Sequence, residues 1–471
     1  MTRVERSWLG CVAGIAAWLA VTPVPADAAD AADERDRAGV EREVAESGPA
    51  LVALVPLGVT VPATLVARDN DVPPGEVFPV SSLNAPFTNS LGQVGFTGGL
   101  DTGGGTDNFV WFDAGVAWHN SDEMVSVLTG AESTMGISDT GGFIYSPAVD
   151  GNDAVWTHNG ALLVEGDPAP GFAPPALSVF NSRPHMVATG QVYWVGGVSL
   201  SGGNTTEARA LFTSPDATAG NIQVVLRSGD SVGGFVIDSP SGIDFDFDFS
   251  SDGSHHIQAL LMETGSTVND GFVYVDGSLV ARESTPSGDG DNWDNFDSMA
   301  INASGHYLFS GDTDGATTSD EFIAYDGVIS IREGDTIGGF TLTSTATVNA
   351  LSLDDDGRAV HLWNTSGGIE YLFFACDASS LVRSTLVLGT GMQVDLDDNG
   401  TPDATVVDFN ASNVVGPGLD LAGDGRVFVE VDLDDGGGAE EAVIALELPL
   451  CMPFLDGFKT GDTSRWSSTV P

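Results

Sequence analysis

Phe272-Val273-Tyr274-Val275-Asp276-Gly277-Ser278-Leu279-Val280 returns 50 residues later as Phe322-Ile323-Ala324-Tyr325-Asp326-Gly327-Val328-Ile329. Each copy is two apolar runs separated by Asp-Gly. Both residues of a tight hairpin turn must tolerate positive φ, which aspartate and glycine do, so the pattern reads as strand, turn, strand. Val155-Trp156-Thr157-His158-Asn159-Gly160-Ala161-Leu162-Leu163 is a third version, with Asn-Gly as the turn. A short exit recurs as Glu165-Gly166-Asp167, Ser228-Gly229-Asp230 and Glu333-Gly334-Asp335, each leading to Gly-Phe at 171–172, 234–235 or 339–340.

Ahead of these hairpins stands a second mark, a turn glycine followed by alternating apolar residues. It occurs as Gly92-Gln93-Val94-Gly95-Phe96, Gly141-Gly142-Phe143-Ile144-Tyr145, Gly190-Gln191-Val192-Tyr193-Trp194 and Gly253-Ser254-His255-His256-Ile257. It continues as Gly305-His306-Tyr307-Leu308-Phe309, Gly357-Arg358-Ala359-Val360-His361-Leu362 and Gly425-Arg426-Val427-Phe428-Val429. Period-2 alternation after a glycine turn marks a half-buried strand. Seven marks over residues 63–450 set a repeat of about 55 residues, enough for four strands each, at the kelch-like end of propeller periods. One such unit leaves a hydrophobic face bare, so units must stack, and ring closure removes the free ends. The expected fold is all-β, a seven-bladed β-propeller with four-stranded blades. The last unit lacks a final strand, whereas Thr64-Leu65-Val66-Ala67-Arg68-Asp69 precedes the first mark and resembles Leu279-Val280-Ala281-Arg282-Glu283. This N-terminal strand is expected to close the last blade.

Outside the repeats, Arg3 and Arg6 precede an apolar run from Trp8 to Val21 and a small-residue site at Ala26-Asp27-Ala28. That order is a secretory signal peptide, placed at 1–28, followed by a linker at 29–62. No later segment approaches the length of a membrane span. The remaining cysteines, Cys376 and Cys451, fit either a disulfide in an oxidising compartment or two buried thiols. Asp+Glu 67 against Lys+Arg 16 gives a net charge of -51. Such a chain repels phosphate backbones and anionic lipid, which excludes nucleic acid and membrane surfaces as partners and favours cations.

The segment with the most chemical content is Asp395-Leu396-Asp397-Asp398-Asn399-Gly400-Thr401-Pro402-Asp403. Oxygen-bearing side chains at Asp395, Asp397, Asn399, Thr401 and Asp403 around Gly400 suit a hard cation, and structural calcium is the expected cofactor. The segment resembles the D-x-D-x-D-G-x-x-D calcium loops of integrin-type propellers. It departs from an EF-hand, because position 12 is Val406. Asp432 to Glu440 is a looser echo and reads as a loop. Asp244-Phe245-Asp246-Phe247-Asp248-Phe249 reads as a strand with a core face of phenylalanines and a solvated face of aspartates. Gly229-Asp230-Ser231-Val232-Gly233 fits the G-x-S-x-G pattern of hydrolases. The equivalent Gly334-Asp335-Thr336-Ile337-Gly338 shows that a turn is being repeated, not a nucleophile singled out. The seven histidines scatter over the repeats without metal spacing, and Trp111, Trp156, Trp194 and Trp363 sit in strands where blade packing accounts for them.

Phe454 to Ser467, containing Asp456-Gly457-Phe458-Lys459-Thr460-Gly461-Asp462-Thr463-Ser464-Arg465-Trp466-Ser467, lies beyond the repeat. It resembles the D-G-F-E-x-G-D-x-S-x-W-S tails of secreted Gram-negative proteins, with Lys459 in place of the acid. With the repeats it makes the chain similar to exported tandem-repeat proteins of unknown function. The resemblance implies secretion to the exterior or outer surface of a Gram-negative cell, with a sorting role for the tail at 451–471. No catalytic residue is singled out. The function read from the sequence is a non-catalytic, calcium-stabilised binding or scaffold protein with an extracellular ligand. The alternative is a carbohydrate-active or other hydrolytic propeller enzyme with its site at the central mouth.

Overall fold

The computed structural model describes residues 60–131, 134–365, 367–410 and 418–451. The signal peptide, all but the end of the linker, and all but the first residue of the tail lie outside them. The described chain is an all-β propeller of about six blades, built mainly from antiparallel four-stranded sheets. Sheet I runs over Val80–Leu83, Phe87–Thr88, Val94–Asp101, Thr106–Phe112 and Gly115–His119. Sheet II holds Met135–Ile137, Phe143–Tyr145, Asn152–Thr157 and Gly160–Val164, with short additions at Leu128–Thr129 and Ala148–Val149. Sheet III (Leu177–Met186, Val192–Ser199, Ala208–Ser214, Gln223–Arg227) and sheet IV (Ile243–Phe249, His256–Leu261, Gly271–Val275, Ser278–Arg282) are plain meanders. So are sheet V (Met299–Ile301, Tyr307–Gly311, Phe322–Tyr325, Val328–Arg332) and sheet VI (Thr347–Leu353, Ala359–Thr365, Ile369–Ala375, Thr385–Gly389).

The remaining strands do not follow the four-strand plan. Thr60–Pro62, Thr64–Arg68, Gln393–Asp395, Ala404–Phe409, Leu419–Leu421, Arg426–Asp434 and Ala439–Glu447 merge into one seven-stranded composite sheet. The merger has a local cause. The extra hairpin around Asp395 adds itself to the long strand Arg426–Asp434 through Thr405 opposite Asp434. Asp432 to Glu440 is therefore not the loop expected from sequence. Strand pairing continues to Asp434 and Ala439, leaving only residues 435–438 as the turn.

The turns explain why the repeats fold alike. All seven marker glycines have φ between 72° and 93°, a region where a side chain is strained. In every copy the glycine N–H donates to the carbonyl three residues back, as from Gly305 to Asn302 at 2.9 Å. At the hairpins, Asp276 and Gly277 have φ of 46° and 89°, and Asp326 and Gly327 of 48° and 79°. The hairpin aspartates also bind the preceding strand. Asp276 accepts from His256 N–H and pairs with His255 Nδ1 at 2.6 Å, and Asp326 repeats this with Tyr307 N–H and His306 Nδ1 at 2.8 Å. Two of the scattered histidines are thus structural turn partners.

The core lies between sheets. Ile144 and Val155 of sheet II pack with Trp194 and Phe212 of sheet III, and Ile257 and Val273 of sheet IV with Phe309 and Phe322 of sheet V. Phe96 and Trp111 of sheet I stack at 5.1 Å and share their cluster with Phe428 and Val443 of the composite sheet. Trp111, Trp156, Trp194 and Trp363 are all buried. Thr64–Arg68 runs antiparallel to Ala439–Glu447, with Thr64 opposite Ala445 and Arg68 opposite Ala442. Arg68 holds Asp435 and Glu440 across the hairpin end.

Cys376 and Cys451 form a disulfide across 75 residues, with Cα atoms 5.4 Å apart. Closing a loop of this length restricts the unfolded chain by about 4 kcal/mol. The variant carrying Cys376→Ser and Cys451→Ser is expected to lose about that much stability in urea unfolding; an unchanged midpoint would show that the bridge adds nothing to the folded ring.

Candidate functional site

The first strands of successive sheets surround a cavity of about 310 Å³, lined from sheets I, III, IV, V, VI and the composite sheet. The residue five positions before each marker glycine determines much of its chemistry. In chain order these are Phe87, Gly136, His185, Asp248, Ala300, Ser352 and Asp420. His185, Asp248, Ser352 and Asp420 line the cavity, and neither lysine nor arginine does. Adjacent turns are stitched together around it. Asn89 Nδ2 donates to the Ser138 carbonyl, Ala188 N–H to Ser251, Asn302 Nδ2 to Asp354, Arg358 to Gly423 and Arg426 to Gly92.

Asp420 accepts four hydrogen bonds, from Thr88 N–H (2.8 Å), Thr88 Oγ1 (2.9 Å), Ser352 Oγ (2.8 Å) and Leu421 N–H (2.9 Å). One carboxylate thus ties the composite sheet to sheets I and VI. Asp248 does similar work, accepting from Ile301 N–H of the next sheet at 2.9 Å and from Phe249 N–H. Its Oδ1 lies 4.0 Å from His185 Nε2, and the two side chains keep 25% and 26% of their surface exposed. Burial pushes Asp248 up to about 8, opposed by the Ile301 N–H, and pulls His185 down to about 4. The water-facing quarter of each group tempers both shifts. The solvated aspartate face expected of this strand is corrected here. Asp244, Asp246 and Asp248 are all half-buried, as are Phe245 and Phe247 on the expected core face, and the pairing shifts register between Ile243 and Phe247. Ser352 Oγ donates to the Asp420 carboxylate.

The Asp395 loop lies apart from the cavity lining. Asp395, Asp397 and Asp403 each bring a carboxylate oxygen within 4.8 Å of the others, with Asp395 buried and the other two exposed. The loop's own backbone N–H groups hold the carboxylates. Asp395 accepts from Asn399 and Gly400, Asp397 from Asn399, and Asp403 from Leu396. The bend needs positive φ at Asp398 (55°) and Gly400 (82°). Asn399 Oδ1 caps Thr401 N–H at 2.8 Å, so Asn399 and Thr401 contribute a turn to the loop. Three acceptor-only groups converging with few donors make a set suited to a hard cation. The loop also touches the entry of the N-terminal segment. Thr60–Pro62 pairs in parallel with Gln393–Asp395, and Ala63 N–H donates to the Asp395 carbonyl at 2.9 Å.

Sequence reasoning found the Asp395 loop and missed the cavity residues. The signal was available, since aligning the repeats on their glycines puts His185, Asp248, Ser352 and Asp420 in one column. The Gly229 to Gly233 segment is a turn, its Ser231–Val232 strand pairing with Phe235–Val236. Among the described residues no helix is long and apolar enough to cross a membrane.

A family model described as a family of unknown function (DUF7453) matches residues 141–391. No curated protein matches the chain by sequence. Solved structures match the chain at low identity and low structural overlap. A protein of unknown function from Bacteroides caccae is 13% identical, covering 62% of this chain and 93% of that one, with a TM-score of 0.31. Prolyl oligopeptidase B from Galerina marginata is 10% identical, covering 78% and 52%, with a TM-score of 0.41. TolB from Acinetobacter baumannii is 13% identical, covering 73% and 76%, with a TM-score of 0.30.

The cavity latch predicts a graded response. Asp420→Ala strands the Thr88 and Ser352 donors and is expected to cost roughly 3 kcal/mol in urea unfolding, against about 1 for Ser352→Ala. Equal effects of the two would mean that Asp420 is not the centre of the network.

Proposed function

The chain belongs to DUF7453, a family of unknown function, and from its own residues we propose a non-catalytic exported repeat protein that serves as a binding or scaffold module. In this reading the composite sheet supplies a seventh blade, Thr64–Arg68 closes the ring, and calcium at the Asp395 loop stabilises the closure. The observation that carries it is the position of the loop. The same backbone that converges Asp395, Asp397 and Asp403 pairs with Thr60–Pro62, immediately before the closing strand. A cation neutralising these carboxylates stiffens the joint at which the chain enters the ring. The cation would supply charge neutralisation and hold the oxygens together, and no chemical step is assigned to it. The disulfide is in keeping with an oxidising, extracytoplasmic setting. The net charge of -51 speaks against nucleic acid as the partner.

One observation favours the hydrolytic alternative. The cavity column breaks the repeat, with His185 beside Asp248 and their protonation pushed in opposite directions. Against it, Asp248 and Asp420 already serve as acceptors between sheets. The binding reading therefore leads.

Thermal unfolding with calcium and with excess chelator tests the metal. Calcium at about a hundredfold its dissociation constant should stabilise the mature protein by roughly 3 kcal/mol. Asp395→Ala with Asp397→Ala should abolish that gain, and a variant that still responds sinks the site. Deleting residues 63–69 should lower the melting temperature of the whole ring in a single transition. An unchanged transition removes the closure.

A further inference from the structure

A second set of carboxylates lies at the opposite end of the strands from the marker glycines. Glu321, buried at the start of the third strand of sheet V, accepts from Val348 N–H of sheet VI at 2.8 Å. Glu370, buried in the same place in sheet VI, accepts from Phe409 N–H of the composite sheet at 2.9 Å. Glu441 of the composite sheet accepts from Leu83 N–H of sheet I at 3.0 Å. Three consecutive sheets are thus stapled to the next by a glutamate at an equivalent position.

The first two staples share a further property. Glu321, Asp312 and Asp297 bring carboxyl oxygens within 4.8 Å of one another. Glu370 and Asp408 meet at one donor, both accepting from Phe409 N–H, and Glu370 also accepts from Asn349 Nδ2 at 2.7 Å. A hydrogen bond between two carboxyl groups exists only while one of them carries a proton. We propose that these pairs are proton-locked joints, so that the contacts of sheet V with sheet VI and of sheet VI with the composite sheet tighten in acid and loosen in alkali.

The surroundings reinforce the lock. Around Glu321 and Asp312 stand Asp294, Asp297, Asp320 and Glu333, and Glu333 in turn hydrogen-bonds Asp320. The nearest cation, Arg332, is already committed to Asp289, Asp291, Thr313 Oγ1 and the Ser319 carbonyl. Asp408, facing Glu370, sits opposite Asp432 in the sheet. Burial, then the Asp408 hydrogen bond, raises Glu370 to about 8, and burial with the Asp312 charge raises Glu321 further. An acid whose folded value exceeds its unfolded one (4.5 for glutamate) stabilises fully below the unfolded value, and that stability is lost as pH rises through the folded value. The window therefore runs upward from about 4.5 through 8.

The composition makes this window easy to read. Above about pH 8 free imidazole and carboxyl groups are deprotonated, and the sequence holds one lysine, Lys459, and six tyrosines. Self-repulsion is nearly constant up to about pH 9.5, so protons released on unfolding there come from raised groups, including Asp248 and Glu430, both near 8.

The test is urea unfolding of the whole mature protein from pH 7 to 9.5, beside Glu321→Gln and Glu370→Gln. Glutamine keeps the backbone contact through its carbonyl and lets its amide donate to the facing aspartate without needing the proton, at the cost, for Glu370, of the Asn349 Nδ2 hydrogen bond. Wild type should lose stability steadily, and each variant should flatten the slope by about one proton. Variants that keep the wild-type slope overturn the proposal. Should a variant fail to fold, proton release on calorimetric unfolding at pH 8 in two buffers of different ionisation enthalpy decides it. Only a release smaller in Asp312→Asn and Asp408→Asn than in wild type supports the joints, because these variants remove the shared proton from the facing side, and an equal release refutes them.

Discussion

Among the described residues the apolar core lies between neighbouring sheets, each covering the next. Trp194 and Phe212 of sheet III, or Phe309 and Phe322 of sheet V, are fully buried only because a neighbouring sheet lies against them. Each fully buried aromatic is worth on the order of 2 kcal/mol relative to exposure, so the contact between sheets is the term that organises the rest. It dictates the alternation of the strands, the tightness of the turns and the stitching of adjacent turns around the axis.

The charge composition shapes what is left. With 67 acidic residues and 16 lysines and arginines, most carboxylates have no cationic partner. They turn instead to backbone N–H groups. Asp276 and Asp326 bind the strand beside their hairpins, Asp248 and Asp420 the next first strand, and Glu321, Glu370 and Glu441 the next sheet. An acid used this way is directional, because it accepts from a fixed N–H, and it joins sheets where apolar packing gives no register. The same habit folds the Asp395 loop on its own carboxylates, and it lines the axial cavity with aspartates.

How much of this was legible varies with the range of the interaction. The Asp-Gly hairpins and the marker glycines are local, since positive φ at Gly277 or Gly305 is a property of a few adjacent residues. The composite sheet was not legible, because it depends on Thr405 meeting Asp434 after a detour through the Asp395 hairpin. The strand character of Asp432 and Asp434 was hidden for a related reason. Acidic, glycine-rich residues read as loop until a partner strand supplies hydrogen bonds. The disulfide was one of two open readings, and only the approach of Cys451 to Cys376 in space selects it.

For the candidate sites the division is similar. The Asp395 loop is visible in the chain because its oxygens and its glycine recur at short fixed spacing. The cavity is visible only once the repeats are curled about an axis. His185, Asp248, Ser352 and Asp420 are all more than 50 residues from one another, and no local rule connects them. By itself the sequence determined the strand units, their turns and the acidic loop, all of which depend on the backbone preferences of neighbouring residues. The tertiary structure alone decided which carboxylates face one another, which N–H each accepts from and which ones burial keeps protonated, because charge and desolvation act through space and take no account of distance along the chain.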